Sequence, residues 1–193
     1  MEIHNSTLPQ IKLGMLQASD HAIIFDKIAI IDDNLDPEQK DKRIGAPVNK
    51  PLPTKILVGI CLMCIDGSID LKLNQTEYHM EKNDCLLGMP GFIAEHISMS
   101  GECKMIVIAA AQDFLGKSPM KGTETARKWM IQKGEPSVIH FPDEICSSFL
   151  SGYKCFRQTY DLAHQDYRNE ILICFLHTAL ALFSSWLKQT GET

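Results

Sequence analysis

Residues 83–97 read NDCLLGMPGFIAEHI. An acidic turn, Asn83-Asp84, leads into an apolar run, then a Pro90-Gly91 corner, then a stretch carrying Glu95 and His96. Small β-barrels hang a metal ligand on a corner of this kind. Whether ligands are present therefore separates a metal enzyme from a metal-free binding domain.

The flanking sequence reads as strands. SIDLKLN (68–74) and TEYHMEK (76–82) alternate apolar and polar residues and follow an Asp66-Gly67 turn, a strong hairpin signal. Ile69, Leu71 and Leu73 form one face, joined by Tyr78 and Met80; Asp70, Lys72, Glu77, His79 and Glu81 face away, which makes His79 a surface residue. KILVGICLMCI (55–65) is apolar on both faces, as a strand covered on both sides must be. HAIIFDKIAII (21–31) and CKMIVIAA (103–110) read as further strands, and a polar loop punctuated by Pro37, Pro47, Pro51 and Pro53 forms a surface excursion. Short antiparallel strands at this spacing predict a small jelly roll.

After about residue 121 the texture becomes helical. GTETARKWMIQKG (122–134) is a helix with Thr123 as cap and Gly134 as stop, and SVIHF (137–141) is a short strand. Two long helices follow, over about 143–162 and 167–188. In the first, Ile145, Phe149, Tyr153 and Phe156 make one apolar stripe suited to core packing. The second is apolar around most of its circumference, so it must be buried on two sides. One side can lie on the barrel or on the helix before it; a second copy of the chain supplies the other, and Leu172, Leu176, Leu180 and Phe183 are the expected dimerisation residues. Its 17-residue apolar core, 171–187, sits at the short edge of a membrane span and carries His177, Thr178, Ser184 and Ser185. A helix buried in protein is the expectation, with no membrane partner.

Composition narrows the function. A chain of 193 residues with net charge −5 offers no electrostatic footprint for nucleic acid. Its one basic cluster, Lys117, Lys121, Arg127, Lys128 and Lys133, is diluted by Glu124 and reads as a solvated helix face. The N-terminus lacks a basic segment followed by an apolar one, so no secretory signal is expected. Seven cysteines, mostly within apolar runs, fit reduced thiols in a cytoplasmic protein. Cys61 and Cys64 have the CxxC spacing, but residues three apart on a strand face opposite ways and cannot share one ion.

From Gly59 to Leu115 the chain resembles the N-terminal cupin-type domain of AraC-type bacterial transcription regulators, through DGSIDLKLNQTEYHMEKNDCLLGMPGFIAEHI. The resemblance implies a fold that is mainly β, a cupin-like double-stranded β-helix followed by a helical dimerisation region. It implies a ligand-sensing barrel with an N-terminal arm over residues 1–116 and a helical dimerisation and linker region over 117–193. A helix-turn-helix DNA-binding domain would then lie outside this chain, so that DNA is reached only through it. Metal-binding cupins place a Gly, a Pro, a second Gly and a His at the positions held here by Asn83, Met89, Gly91 and Ala94. Their first His pair would fall on the 55–65 run, which has no His or carboxylate, and their Glu near Ile69. The resemblance thus implies a barrel with no metal and no cofactor.

On a strand His96, two residues beyond Ala94, shares its face, and with Phe92 it points into the barrel. His96 and Phe92 are therefore the candidate ligand-binding residues, although His96 reads equally as a hydrogen-bonded surface histidine. Glu95 falls on the opposite face. The expected function is effector sensing and dimerisation for an AraC-type regulator, with a small-molecule effector in the barrel and no enzymatic activity. The alternatives are a stand-alone dimeric cupin binding module, a small cupin enzyme, whose ligands are missing, and a cyclic-nucleotide sensor. The last lacks the arginine that should follow Gly101-Glu102.

Overall fold

The computed structural model describes residues 8–16, 22–33, 53–117 and 121–191. The expected loop excursion through Pro37, Pro47 and Pro51 lies outside these residues, and so does the side chain of the expected cap Thr123.

The first elements among the described residues are a two-residue strand, β1 (Gln10–Ile11), and a 3-10 turn at Leu13–Met15. Then come β2 (Ala22–Phe25), β3 (Ile28–Asp33), β4 (Thr54–Ile56), β5 (Gly59–Asp66), β6 (Ile69–Leu73) and β7 (Thr76–Met80). The strands β8 (Asp84–Gly88), β9 (Ile93–Met99) and β10 (Lys104–Ala110) complete the first run. Helices α1 (Gln112–Lys117) and α2 (Lys121–Lys133) follow, then β11 (Ser137–His140), α3 (Asp143–Leu162) and α4 (Gln165–Thr190). One sheet has the order β1-β4-β9-β6-β7 and the other β11-β8-β5-β10-β3-β2. This is the jelly roll followed by helices that the strand and helix patterns predict.

Two runs expected to be single strands are each split. Asp26 adopts φ 44°, a left-handed value that aspartate tolerates, and this folds 21–31 into the β2–β3 hairpin. The 55–65 run changes sheets at Leu57-Val58: Lys55 pairs with Ile93 in one sheet and Gly59 with Ala110 in the other. In the β5 portion, Cys64 lies in the barrel interior while Met63 faces outward, so the strand is covered on both sides as its composition required.

The interior of the roll is filled by the alternating residues of β6 and their partners. Ile69, Leu71 and Leu73 are buried there with Met80, Leu86 and Met105; each such side chain contributes roughly 1.5–3 kcal/mol by leaving water. The outer face of the six-stranded sheet carries the helices. Ile23, Ile30 and Ile106 pack on Tyr153, Phe156 and Phe175, and Met63, Cys85 and Leu87 pack on Trp129, Met130 and Leu187. β11 joins β8 at the edge of this sheet, so a strand from the helical half completes the barrel half.

The expected dimerisation residues need correction. Leu172 and Leu176 are buried against the sheet and α3, and Phe183 meets Phe141 and Trp129 at ring distances of 5.6 Å and 6.5 Å. Leu180 backs onto Gly122 of α2. The reason is that α2, α3 and the sheet of the same chain occupy these positions of α4. The face of α4 left exposed carries Ile173, Cys174, His177, Thr178, Ala181 and Ser185. By length and composition alone α4 is also apolar enough to cross a membrane. Here its largest apolar side chains pack on this chain's own sheet and helices.

Candidate functional site

The corner at 83–91 is built as its residues require. Asn83 adopts φ 75° at the position where a glycine is expected, and Gly91 adopts φ 114°. Asn83 is held on both sides. Its N–H donates to the Cys64 carbonyl at 2.9 Å, and its side-chain amide donates to Asp143 Oδ1 at 2.6 Å. Phe92 then turns into the barrel, close against Gly88: a Cβ on Gly88 would lie 2.9 Å from the Phe92 ring. Ala94, where the His of a metal cupin would stand, is buried with no donor atom to offer. Among the described residues no three His, Cys, Asp or Glu side chains gather as metal ligands.

His96 does not line the barrel. Leu73 of β6 pairs with Ala94 and Lys72 with His96, so Glu95 is an extra residue in β9, a β-bulge. The bulge reverses the alternation: Phe92, Ala94, Ile97 and Met99 face inward, whereas His96 and Ser98 are exposed. The β6–β7 turn holds the bulge in place. Asn74 and Gln75 both have positive φ, 48° and 69°. The Gln75 N–H donates to Glu95 Oε1 at 2.8 Å, and Asn74 Oδ1 accepts from the Ile93 N–H at 2.8 Å. Of the two candidate residues the structure brings only Phe92 to the interior.

That interior holds a cavity of about 90 Å³ with an apolar wall, to which Phe92, Leu71, Leu73 and Val107 contribute. Ile11 and Leu16 of the N-terminal segment complete the wall. The segment is fastened there by its backbone: β1 runs parallel to β4, and the Lys55 N–H donates to the Pro9 carbonyl at 2.8 Å. Nothing local in the sequence marks Leu16 as part of the cavity, because a two-residue strand has no readable periodicity. A ligand here would be recognised by shape and apolar surface, since a polar group would lose its water without gaining a partner.

No acid–base or nucleophilic arrangement among the described residues borders this space. The histidines that approach carboxylates are His79 with Asp70 at 2.6 Å, His140 with Asp84 at 2.8 Å and His164 with Asp166 at 3.2 Å. All three imidazoles lie on the exposed surface. The buried thiols are suppressed as nucleophiles. A hydrogen bond with Cys103 and burial push Cys64 far up, a hydrogen bond with Cys61 and burial do the same for Cys85, and burial raises Cys146 to about 11.

No family profile matches this chain, and no curated protein does. Solved structures do. The AraC-like transcriptional activator CuxR is similar at 5% identity and a TM-score of 0.43, over 82% of this chain and 48% of CuxR. ToxT from Vibrio cholerae is similar at 15% identity and a TM-score of 0.40, over 72% of this chain and 51% of ToxT. The chain spans about half the length of these structures. Both likenesses are of fold.

Proposed function

We propose that this chain is the effector-sensing domain of an AraC-type transcription regulator, acting in the cytoplasm. One observation carries the reading: a jelly roll with a wholly apolar interior cavity is walled in part by the chain's own N-terminal segment. Ile11 and Leu16 occupy space at that wall, so an apolar effector that displaces them enlarges the cavity. An effector with different affinity for the two positions of the segment shifts the balance between them. The helices on the opposite face of the roll then carry that difference toward a DNA-binding domain, which alone would touch DNA.

In this reading the domain forms a homodimer through α4. The surface available for it is Ile173, His177, Ala181 and Ser185, one exposed stripe at helical spacing. The test is to fuse residues 1–193 to a DNA-binding domain that is inactive as a monomer and to read reporter transcription. The fusion should activate the reporter, and Ala181→Arg, which places a charge on an exposed position, should abolish activation without unfolding the protein. A soluble fusion that leaves the reporter silent, or an Ala181→Arg variant that remains active, would remove the dimer from this proposal.

A further inference from the structure

A second cavity lies on the other side of the six-stranded sheet, between its outer face and the helices, with a volume of about 120 Å³. It is separate from the barrel interior. Four small residues on four elements leave the space open: Gly59 of β5, Ala110 of β10, Ala126 of α2 and Ala179 of α4. Close-packed cores leave few voids larger than a water molecule, and one larger side chain at any of several of these positions would fill this one.

We infer that this cavity is a binding site for a neutral, single-ring aromatic molecule. The size is of the right order: an apolar cavity of roughly 150 Å³ stays dry and admits benzene, against about 120 Å³ here. The wall selects the class. Sulfur atoms come from Cys61, Cys85, Met63 and Met130, and thioether and thiol sulfur makes favourable contacts with ring edges. The Cys61 and Cys85 sulfurs lie 3.5 Å apart, side by side on the sheet. Phe149 and Phe183 add aromatic rings from α3 and α4. The wall offers almost no polar surface, so a carboxylate or ammonium on the ring would be left unpaired and excluded. The two methionines adjust to ligand shape, because three rotatable bonds let them refill a gap.

The site bears on α4. Ala179 and Leu180 form part of its roof, and the same stretch of α4 rests on Gly122 of α2. An occupied cavity therefore braces α4 against the sheet from within.

The test uses residues 1–193 with toluene, cyclohexane and benzoate as probes, read by thermal unfolding and by methyl NMR. Toluene at about ten times its Kd should raise Tm by about 4 °C. Its chemical-shift changes should fall on the methyls of Ala126, Ala179 and Leu180 and spare Leu71, Leu73 and Ala94 in the barrel. Cyclohexane should shift Tm less, and benzoate not at all. Ala179→Leu should abolish the toluene response while remaining folded; if that variant unfolds, Ala126→Val serves the same purpose. No toluene response, or an equal response to cyclohexane, would overturn the proposal. A response confined to the barrel methyls would also overturn it, and would leave the effector-domain reading intact.

Discussion

His79 projects from the outer face of β7, with Nδ1 2.6 Å from Asp70 Oδ1 on β6 and Nε2 3.5 Å from Glu81. The hydrogen bond with Asp70, joined by the charges of both carboxylates, raises the imidazole above its ordinary 6.5. A raised folded value means that the pair helps folding fully below pH 6.5 and that the help fades as pH rises through the folded value. We expect the His79 ring resonances to titrate with a midpoint above 6.5, and Asp70→Asn to bring that midpoint down. An unchanged midpoint in the variant would show that the pair does not form in solution. The position of His79 was legible because β6 and β7 alternate without interruption. That of His96 was not, because its face depends on Glu95. Nothing local marks Glu95 as a bulge. The signal is its bond to the Gln75 N–H, 20 residues away in sequence, and it becomes visible only once β6 and β9 are paired.

Among the helices, two glycines stand in opposite surroundings. Gly122 lies where α2 crosses α4, and a Cβ there would stand 2.8 Å from the Leu180 backbone. The Gly122 carbonyl also accepts from Ser184 Oγ at 3.0 Å, which ties the two helices at their close approach. Gly122→Ala should therefore push α2 away and cost about 1–3 kcal/mol of stability, as overpacking does. Gly152 in α3 has open space where its Cβ would go. Gly152→Ala should stabilise by about 0.5–1 kcal/mol through helix propensity alone. Urea unfolding of both variants checks the pair, and equal effects would refute the close crossing. The helices themselves were legible in the sequence. Periodicity places α3 and α4 to within a few residues, because each keeps its apolar pattern through several turns. Their partners were legible only in part: that one side of α4 lies on the sheet or on α3 is expected from its pattern, and it does. An apolar circumference states that α4 needs cover but not what covers it. Leu172, Leu176, Leu180 and Phe183, expected to meet a second chain, meet α2, α3 and the sheet instead.

Across the full chain the division between barrel and helices has a physical consequence. β11, from the helical half, pairs with β8, and Tyr153 of α3 donates to Asp32 Oδ2 of β3 at 2.5 Å. Arg157 stands 3.6 Å from the same carboxylate oxygen, and burial followed by the Asp32 charge drives the Tyr153 hydroxyl far above its usual value. The outer face of the six-stranded sheet is apolar like its inner face. Residues 1–116 alone would expose Ile30, Met63, Cys85 and Ile106 to water, with nothing to cover them. We propose that the barrel and helical parts fold as one unit rather than as two independent domains. The two tryptophans, Trp129 and Trp186, both belong to the helical half and report on its packing, while far-UV circular dichroism follows the strands as well. Denaturant transitions by the two probes should coincide. Tyr153→Phe removes the donor from a buried carboxylate and should lower both midpoints together, at a cost of about 1–3 kcal/mol of stability. Two separated transitions, or a cooperatively folded fragment 1–116, would show instead that the roll is stable without its helices, and the coupling between cavity and α4 would then lose its physical basis.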